Sequence, residues 1–192
     1  MGALMLERRE FVRRLLADRG DLLVVSGLGS ATYDVAAAGD HPLNFYLWGA
    51  MGGTAMIGLG LALARPDRRV AVLTGDGDML MGIGSLATIG VKQPKNLSVV
   101  VLDNAHYGET GMQPSHTKAG IDLAATALAC RFKHARSVSR IEDAAEARAL
   151  LHHGEGPILV SARINEDDVP RVLPLRDGHA IKQRFIAALN SA

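Results

Sequence analysis

The stretch "LTGDGDML" (Leu73 to Leu80) closes the apolar run "VAVLTG" (Val70 to Gly75) and sets two acidic residues among glycines. Taken alone, a Gly-Asp-Gly segment is a turn or a helix N-cap, because glycine accepts unusual backbone angles and aspartate bonds nearby N–H groups. What stands around it decides more. Short, continuous apolar runs recur at "LLVVSG" (22–27), "NFYLW" (44–48), "LSVVVLDN" (97–104) and "PILVSARI" (157–164), with "FKHARSV" (132–138) adding a short one. Such runs read as strands of a parallel sheet buried on both faces. Helical patterns alternate with them at Leu6–Arg19, Gly52–Ala64, Met79–Val91, Ile121–Cys130, Ile141–His152 and Ala180–Leu189. The expectation is an α/β domain of three layers, a parallel sheet with helices on both faces, and ligands at the carboxyl ends of the strands.

Composition agrees with one domain over 1–192. A chain of 192 residues with 48% hydrophobic residues, 21% charged residues and 21 glycines can bury a core without disulfides. The formal net charge of +1 is spread over interleaved acids and bases, which gives no reason to expect nucleic acid. The basic tract "LERREFVRRLLADR" (6–19) has the spacing of a solvated helix face. The single cysteine, Cys130, lies in an apolar segment and reads as a buried small hydrophobe. The longest apolar run, Ala50–Ala64, is glycine-rich and shorter than a membrane span, so a cytoplasmic chain is expected.

Three loops at expected strand ends hold unusual residues: "SGLGSAT", "GDGD" and "DNAHYGETG". In a parallel sheet they meet at one edge. Residues 78–103, the length of a helix and a returning strand, separate Gly77 from Asn104. That spacing brings the Asp76 carboxylate and the Asn104 amide together, the oxygen chemistry that Mg²⁺ prefers. Gly75 and Gly77 let backbone approach a phosphate, and a helix beginning near Met79 offers it free N–H groups.

The whole segment "GDGDMLMGIGSLATIGVKQPKNLSVVVLDN" resembles the shared motif of thiamine diphosphate enzymes, which opens with Gly-Asp-Gly and ends in asparagine. Asp103-Asn104 stands where the family more often has Asn-Asn. The resemblance implies the thiamine diphosphate-binding fold, with Mg²⁺ held by Asp76, Asn104 and the backbone carbonyl of His106. Gly77 and Asp78 would meet the diphosphate through backbone N–H groups. "LWGAMGG" (47–53) resembles the decarboxylase branch, where the Gly49 carbonyl would bind the aminopyrimidine and Met51 would be the apolar wedge under the thiazolium. By position, Gly29 and Ser30 resemble a loop that reaches the diphosphate. "GLGSATYD", "NFYLWGAMG" and "YGETGMQPSHT" are similar to the sulfopyruvate and phosphonopyruvate decarboxylases, which act on small 2-oxo acids with a terminal anion.

Only the diphosphate side of such an enzyme is matched, so a separate pyrimidine-binding α subunit is expected, in a hetero-oligomer that is active only when assembled. His106, His116 and Glu109 are the candidates for proton transfer. In a pyruvate decarboxylase the corresponding glutamate falls where Thr110 stands. Lys118 or His116 would suit the substrate's anionic end, and His41, His134, His152, His153 and His179 read as surface residues. The alternatives are a carboligase or 2-oxo acid oxidoreductase subunit of the same family, or a non-catalytic nucleotide-binding module. A lone cysteine could not itself hold the iron–sulfur cluster that oxidoreductases use.

Overall fold

The computed structural model describes residues 6–166 and 169–191. Its strands are β1 (Leu23–Ser26), β2 (Asn44–Tyr46), β3 (Val70–Gly75), β4 (Leu97–Asp103), the short β5 (His106–Tyr107) and β6 (Gln113–Pro114), β7 (His134–Val138) and β8 (Ile158–Arg163). Six of them form one sheet in the order β2-β1-β3-β4-β8-β7, every neighbouring pair parallel, and β5 and β6 make an antiparallel hairpin. All six expected strands are present. The helices are α1 (Arg8–Leu16), α2 (Ser30–Ala37), α3 (Thr54–Ala64), α4 (Asp76–Met81), α5 (Gly84–Lys92), α6 (Leu123–Ala129), α7 (Ala144–His153) and α8 (Gly178–Asn190).

Strand side chains alternate between two cores, as a pleated sheet covered on both faces requires. Val24, Ala71, Leu73, Val100, Leu102 and Val160 pack with α1, α2 and α7. Leu23, Val25, Val70, Val72, Val99, Val101 and Leu159 pack with α3, α5 and α6 on the other face. Full burial of each large side chain contributes about 1.5–3 kcal/mol. The helix α8 covers the β2 edge, placing Ile181 in the first core and Phe185 in the second. No helix among the described residues is long and apolar enough to cross a membrane.

Three features differ from the sequence expectation. The helix α2 is new; its Ser, Ala, Thr and Tyr start carries little apolar periodicity. The helix expected from Met79 begins at Asp76 and is divided into α4 and α5 at Gly82. A Cβ on Gly82 would lie 2.0 Å from the Gly52 carbonyl oxygen, so the break is where the 49–53 loop packs against the chain. Arg8, expected on a solvated face, is buried. Glu7 caps α1, accepting from Arg9 N at 3.0 Å and Glu10 N at 2.6 Å, and Leu6 bridges in parallel to Ile164 just past β8. The chain therefore enters α1 from the carboxyl edge of the sheet, and the first turn of this helix faces the loops there.

The chain leaves β1 toward β2 on one side and returns to β3 on the other. The crevice outside the ends of β1 and β3 is thus the switch point where open α/β sheets bind ligands.

Candidate active site

The ends of β1, β3 and β4 meet around one cavity, lined by Leu28, Ser30, Met51, Gly75, Asp76, Gly77, Asp78, Asn104, His106 and Glu109, together with Arg8 and Tyr107. Asp76, the first residue of α4, is buried. Its Oδ2 accepts a hydrogen bond from Ser115 Oγ and lies 3.4 Å from Thr117 Oγ1. Ser115 Oγ and Thr117 Oγ1 are 2.9 Å apart, Thr117 Oγ1 donates to Asp103 Oδ1 at 2.7 Å, and Arg163 Nη1 donates to Asp103 Oδ2 at 3.0 Å. A relay of two hydroxyls thus joins two carboxylates, and only Asp103 has a cation beside it. Burial holds the Asp76 carboxyl above the ordinary aspartate range; Ser115 pulls it down, and the Asp103 charge pushes it up. Such a group favours either a proton or a cation nearby.

The Asn104 amide and the His106 main chain follow directly from β4. Asn104 Oδ1 accepts from His106 N at 3.0 Å, and His106 Nδ1 lies 2.9 Å from the Asn104 carbonyl oxygen. His106 and Pro114 form a non-hydrogen-bonded pair of the hairpin, so the His106 carbonyl points away from the partner strand. The bonded pair beside it joins Ser115 N to the Ala105 carbonyl at 2.8 Å, and this is how the hairpin brings the two hydroxyl residues back over Asp76.

Asp78 lines the cavity, but its carboxylate is committed elsewhere. Oδ1 accepts from Gly52 N, and Oδ2 accepts from Thr54 Oγ1 at 2.5 Å and from Thr74 Oγ1. These bonds fasten the 49–54 loop to β3 and α4, and only the Asp78 main chain is left for a ligand. Met51, carried by that loop, reaches the cavity, whereas Gly49 is exposed and lies outside its lining. Gly77 has no room for a side chain: a Cβ there would stand 2.8 Å from the Tyr107 ring and 3.4 Å from Met51 Cε. Above Gly75 the space is open.

Gly29 caps α2 at φ +72° with Glu109 against it, and Ser30 begins that helix. Glu109 sits exposed in a 3₁₀ turn and lines this cavity and a second, adjoining one. His116 lines neither; its Nδ1 is 2.6 Å from the Tyr107 hydroxyl. Lys118 pairs with Glu166 at 3.3 Å. His134, His153 and His179 are exposed, but His41 and His152 are half-buried, and burial lowers the pKa of both. Cys130 is half-buried, so the expectation of full burial is corrected.

The donor chemistry fits a hard divalent ion and an anion. Asp76 is a buried carboxylate with no cationic side chain against it, Asn104 Oδ1 carries one hydrogen bond, and the His106 carbonyl has no partner across the hairpin. The first turn of α4 adds main-chain N–H groups around a glycine that excludes side chains. Among the described residues no three His, Cys, Asp or Glu side chains are grouped to hold a metal, so amide and main-chain oxygens would have to complete the shell. Asp103, Ser115, Thr117, Arg163 and Arg8 escaped the sequence reading. The one signal for them was the Asp103 departure, an extra carboxylate that needs partners.

Residues 27–162 match the family described as thiamine pyrophosphate enzyme, C-terminal TPP binding domain. The chain is 38% identical over 191 residues to a sulfopyruvate decarboxylase subunit beta from Methanothermobacter thermautotrophicus, covering 98% of both chains. It is also 38% identical over 169 residues to a phosphonopyruvate decarboxylase from Streptomyces viridochromogenes, covering 85% of this chain but 42% of that enzyme. Among solved structures, the 4-hydroxybenzoylformate decarboxylase of Rhodococcus jostii RHA1 superposes with a TM-score of 0.71 over 88% of this chain and 34% of its own, at 21% identity, a likeness of fold. A chain that shares its motifs, sheet and sequence with these proteins belongs to the thiamine pyrophosphate enzyme family, as its C-terminal TPP-binding domain.

Proposed function

We propose that this chain is the diphosphate-binding subunit of a cytoplasmic thiamine diphosphate- and Mg²⁺-dependent decarboxylase, acting with a separate pyrimidine-binding α subunit on a small 2-oxo acid. The observation that carries this is the donor set at the ends of β3 and β4: a buried carboxylate without a cation, a side-chain amide and an unclaimed carbonyl beside the first turn of α4. Similarity to beta subunits along nearly the whole chain supports the partner, and the names of the relatives support a substrate of the sulfopyruvate or phosphonopyruvate type.

In this reading Asp76, Asn104 and the His106 carbonyl hold Mg²⁺. The N–H groups of Gly77 and Asp78, and the loops at Gly75, Gly29 and Ser30, receive the diphosphate. Met51 would give the cofactor an apolar support, and the Gly49 carbonyl would accept a hydrogen bond from its aminopyrimidine. The bound cofactor supplies an electron sink for the pair left behind as CO₂ departs. The Ser115–Thr117–Asp103 relay orients Asp76, and the Asp78 bonds fix the loop that carries Met51. Glu109 and His106 line the cavity and move protons there, with His116 acting from the rim through Tyr107.

The test is turnover by the chain purified with its companion subunit. Release of CO₂ from sulfopyruvate or phosphonopyruvate that requires both thiamine diphosphate and Mg²⁺ is expected. A C–C bonded product in place of CO₂ and aldehyde would make the assembly a carboligase. Absence of any cofactor-dependent turnover, with activity unaltered by Asp76→Ala, would favour a nucleotide-binding module.

A further inference from the structure

Among the described residues Arg8 is the one arginine that lines both the cofactor cavity and the adjoining cavity walled by Arg9, Tyr33, Asp34, Glu166 and Arg171. Its side chain is 6% exposed, and Nε donates to Asp34 Oδ2 at 2.7 Å; the Asp34 side chain is 1% exposed. Arg9 approaches the other oxygen of Asp34, at 3.6 Å. Two guanidinium groups therefore share one buried carboxylate. Glu109 and Glu166 also line the adjoining cavity, but both are exposed, so water screens them. A guanidinium has five N–H donors, and Arg8 has one acceptor, for Nε, among the described residues, which leaves Nη1 and Nη2 available to a ligand.

Of the other arginines and lysines near the site, Lys118 pairs with Glu166, Arg163 pairs with Asp103, and Arg171, on the adjoining cavity, lies over the Tyr33 ring at 5.9 Å. The cofactor cavity itself is lined by three carboxylates, Asp76, Asp78 and Glu109, with Arg8 as its one arginine or lysine. A polyanion there needs a cation beyond the metal, and a fork held rigid by a buried acid suits phosphate oxygens geometrically.

We propose that Arg8 is a phosphate-binding residue of this site, reaching a terminal oxygen of the diphosphate from the α1 side while Asp34 holds it in position. The assignment rests on the thiamine diphosphate reading above and adds a side-chain contact from outside the Gly-Asp-Gly motif.

The test uses the full chain with inorganic diphosphate and Mg²⁺, followed by isothermal titration, and with Mn²⁺ alone, followed by electron paramagnetic resonance. Arg8→Gln should weaken diphosphate about tenfold to a hundredfold while Mn²⁺ affinity stays within about twofold, as expected from losing charge-assisted bonds to the anion only. Arg8→Lys, which keeps the charge beside Asp34 but lacks the fork, should fall between Gln and wild type. Equal losses for diphosphate and Mn²⁺ would mean Arg8 is merely structural and would overturn the proposal. So would unchanged diphosphate affinity, including the case where only the KM for sulfopyruvate rises relative to pyruvate, which would move Arg8 to the substrate's terminal anion. A wild-type chain that takes up no Mg²⁺-diphosphate overturns the underlying site reading instead, and this assignment with it.

Discussion

At Asp76 the demands of folding and of ligand binding oppose each other. Burial, with the nearby charge of Asp103, favours its protonated form in the fold and outweighs the hydrogen bond from Ser115, which favours the ionised one. Because the folded pKa lies above the unfolded one, the folded chain binds more protons between those two values. Stability then falls as pH rises through that window, and the metal-free chain carries the cost at neutral pH. Asp76→Asn should consequently raise the Tm of the metal-free chain at pH 7 by about 2–8 °C, following the removal of about 1–2 kcal/mol of buried-charge cost, and should flatten the acid side of the stability profile; calorimetry across pH checks both. Thr117→Val acts in the opposite sense. It takes one of two donors from Asp103 Oδ1, leaving Ala105 N at 2.9 Å, and unlinks Ser115, so it should cost about 1–2 kcal/mol in unfolding free energy and weaken Mg²⁺ about 10–100-fold, measured by denaturant titration and by metal titration. Asp76 and Asn104 could be read from spacing because strand and helix lengths bring two motif positions together. Thr117, Ser115 and Arg163 could not, because the hairpin and β8 bring them in from elsewhere in the chain, through contacts that no local pattern records.

The elements were legible where burial acts on both faces. β3 and β4 are buried almost throughout, and the apolar runs that announce them admit few other readings. The division between α4 and α5 was not, since a continuous helical pattern runs across it. The break comes from packing: Gly82 lies where the Gly52 carbonyl would meet a side chain. Gly82→Ala should push the 49–53 loop away and cost about 1–3 kcal/mol through overpacking. It should also reduce cofactor affinity by displacing Met51, which paired unfolding and cofactor titrations can read. Arg8 teaches the same lesson from the other side. Its helix has the charge pattern of a solvated surface, yet the Leu6–Ile164 bridge sets the first turn at the sheet's carboxyl edge, and position rather than pattern decides its surroundings.

At the scale of the molecule, large apolar side chains remain exposed on packed neighbours: Met56, Ile57 and Leu63 on α3, Met81 on α4 and Val91 on α5. These helices carry loops of the candidate site, and exposed apolar groups of this kind mark interaction surfaces. Met81→Glu, at 67% exposure, should leave the stability of the separate chain within about 0.5 kcal/mol but reduce recovery of the companion subunit in co-purification. The fold and the family follow from this one chain, whereas the diphosphate edge and a partner that holds the pyrimidine side of the cofactor belong to the proposal. The central claim is that the β3–β4 edge holds a metal-bridged diphosphate. Calorimetric titration of thiamine diphosphate into the assembled complex tests it most directly, with Mg²⁺ and with a chelator. Saturable binding that disappears with the chelator and in Asp76→Ala is the result this structure predicts; binding indifferent to the metal and to Asp76, or no binding by the intact complex, would contradict it.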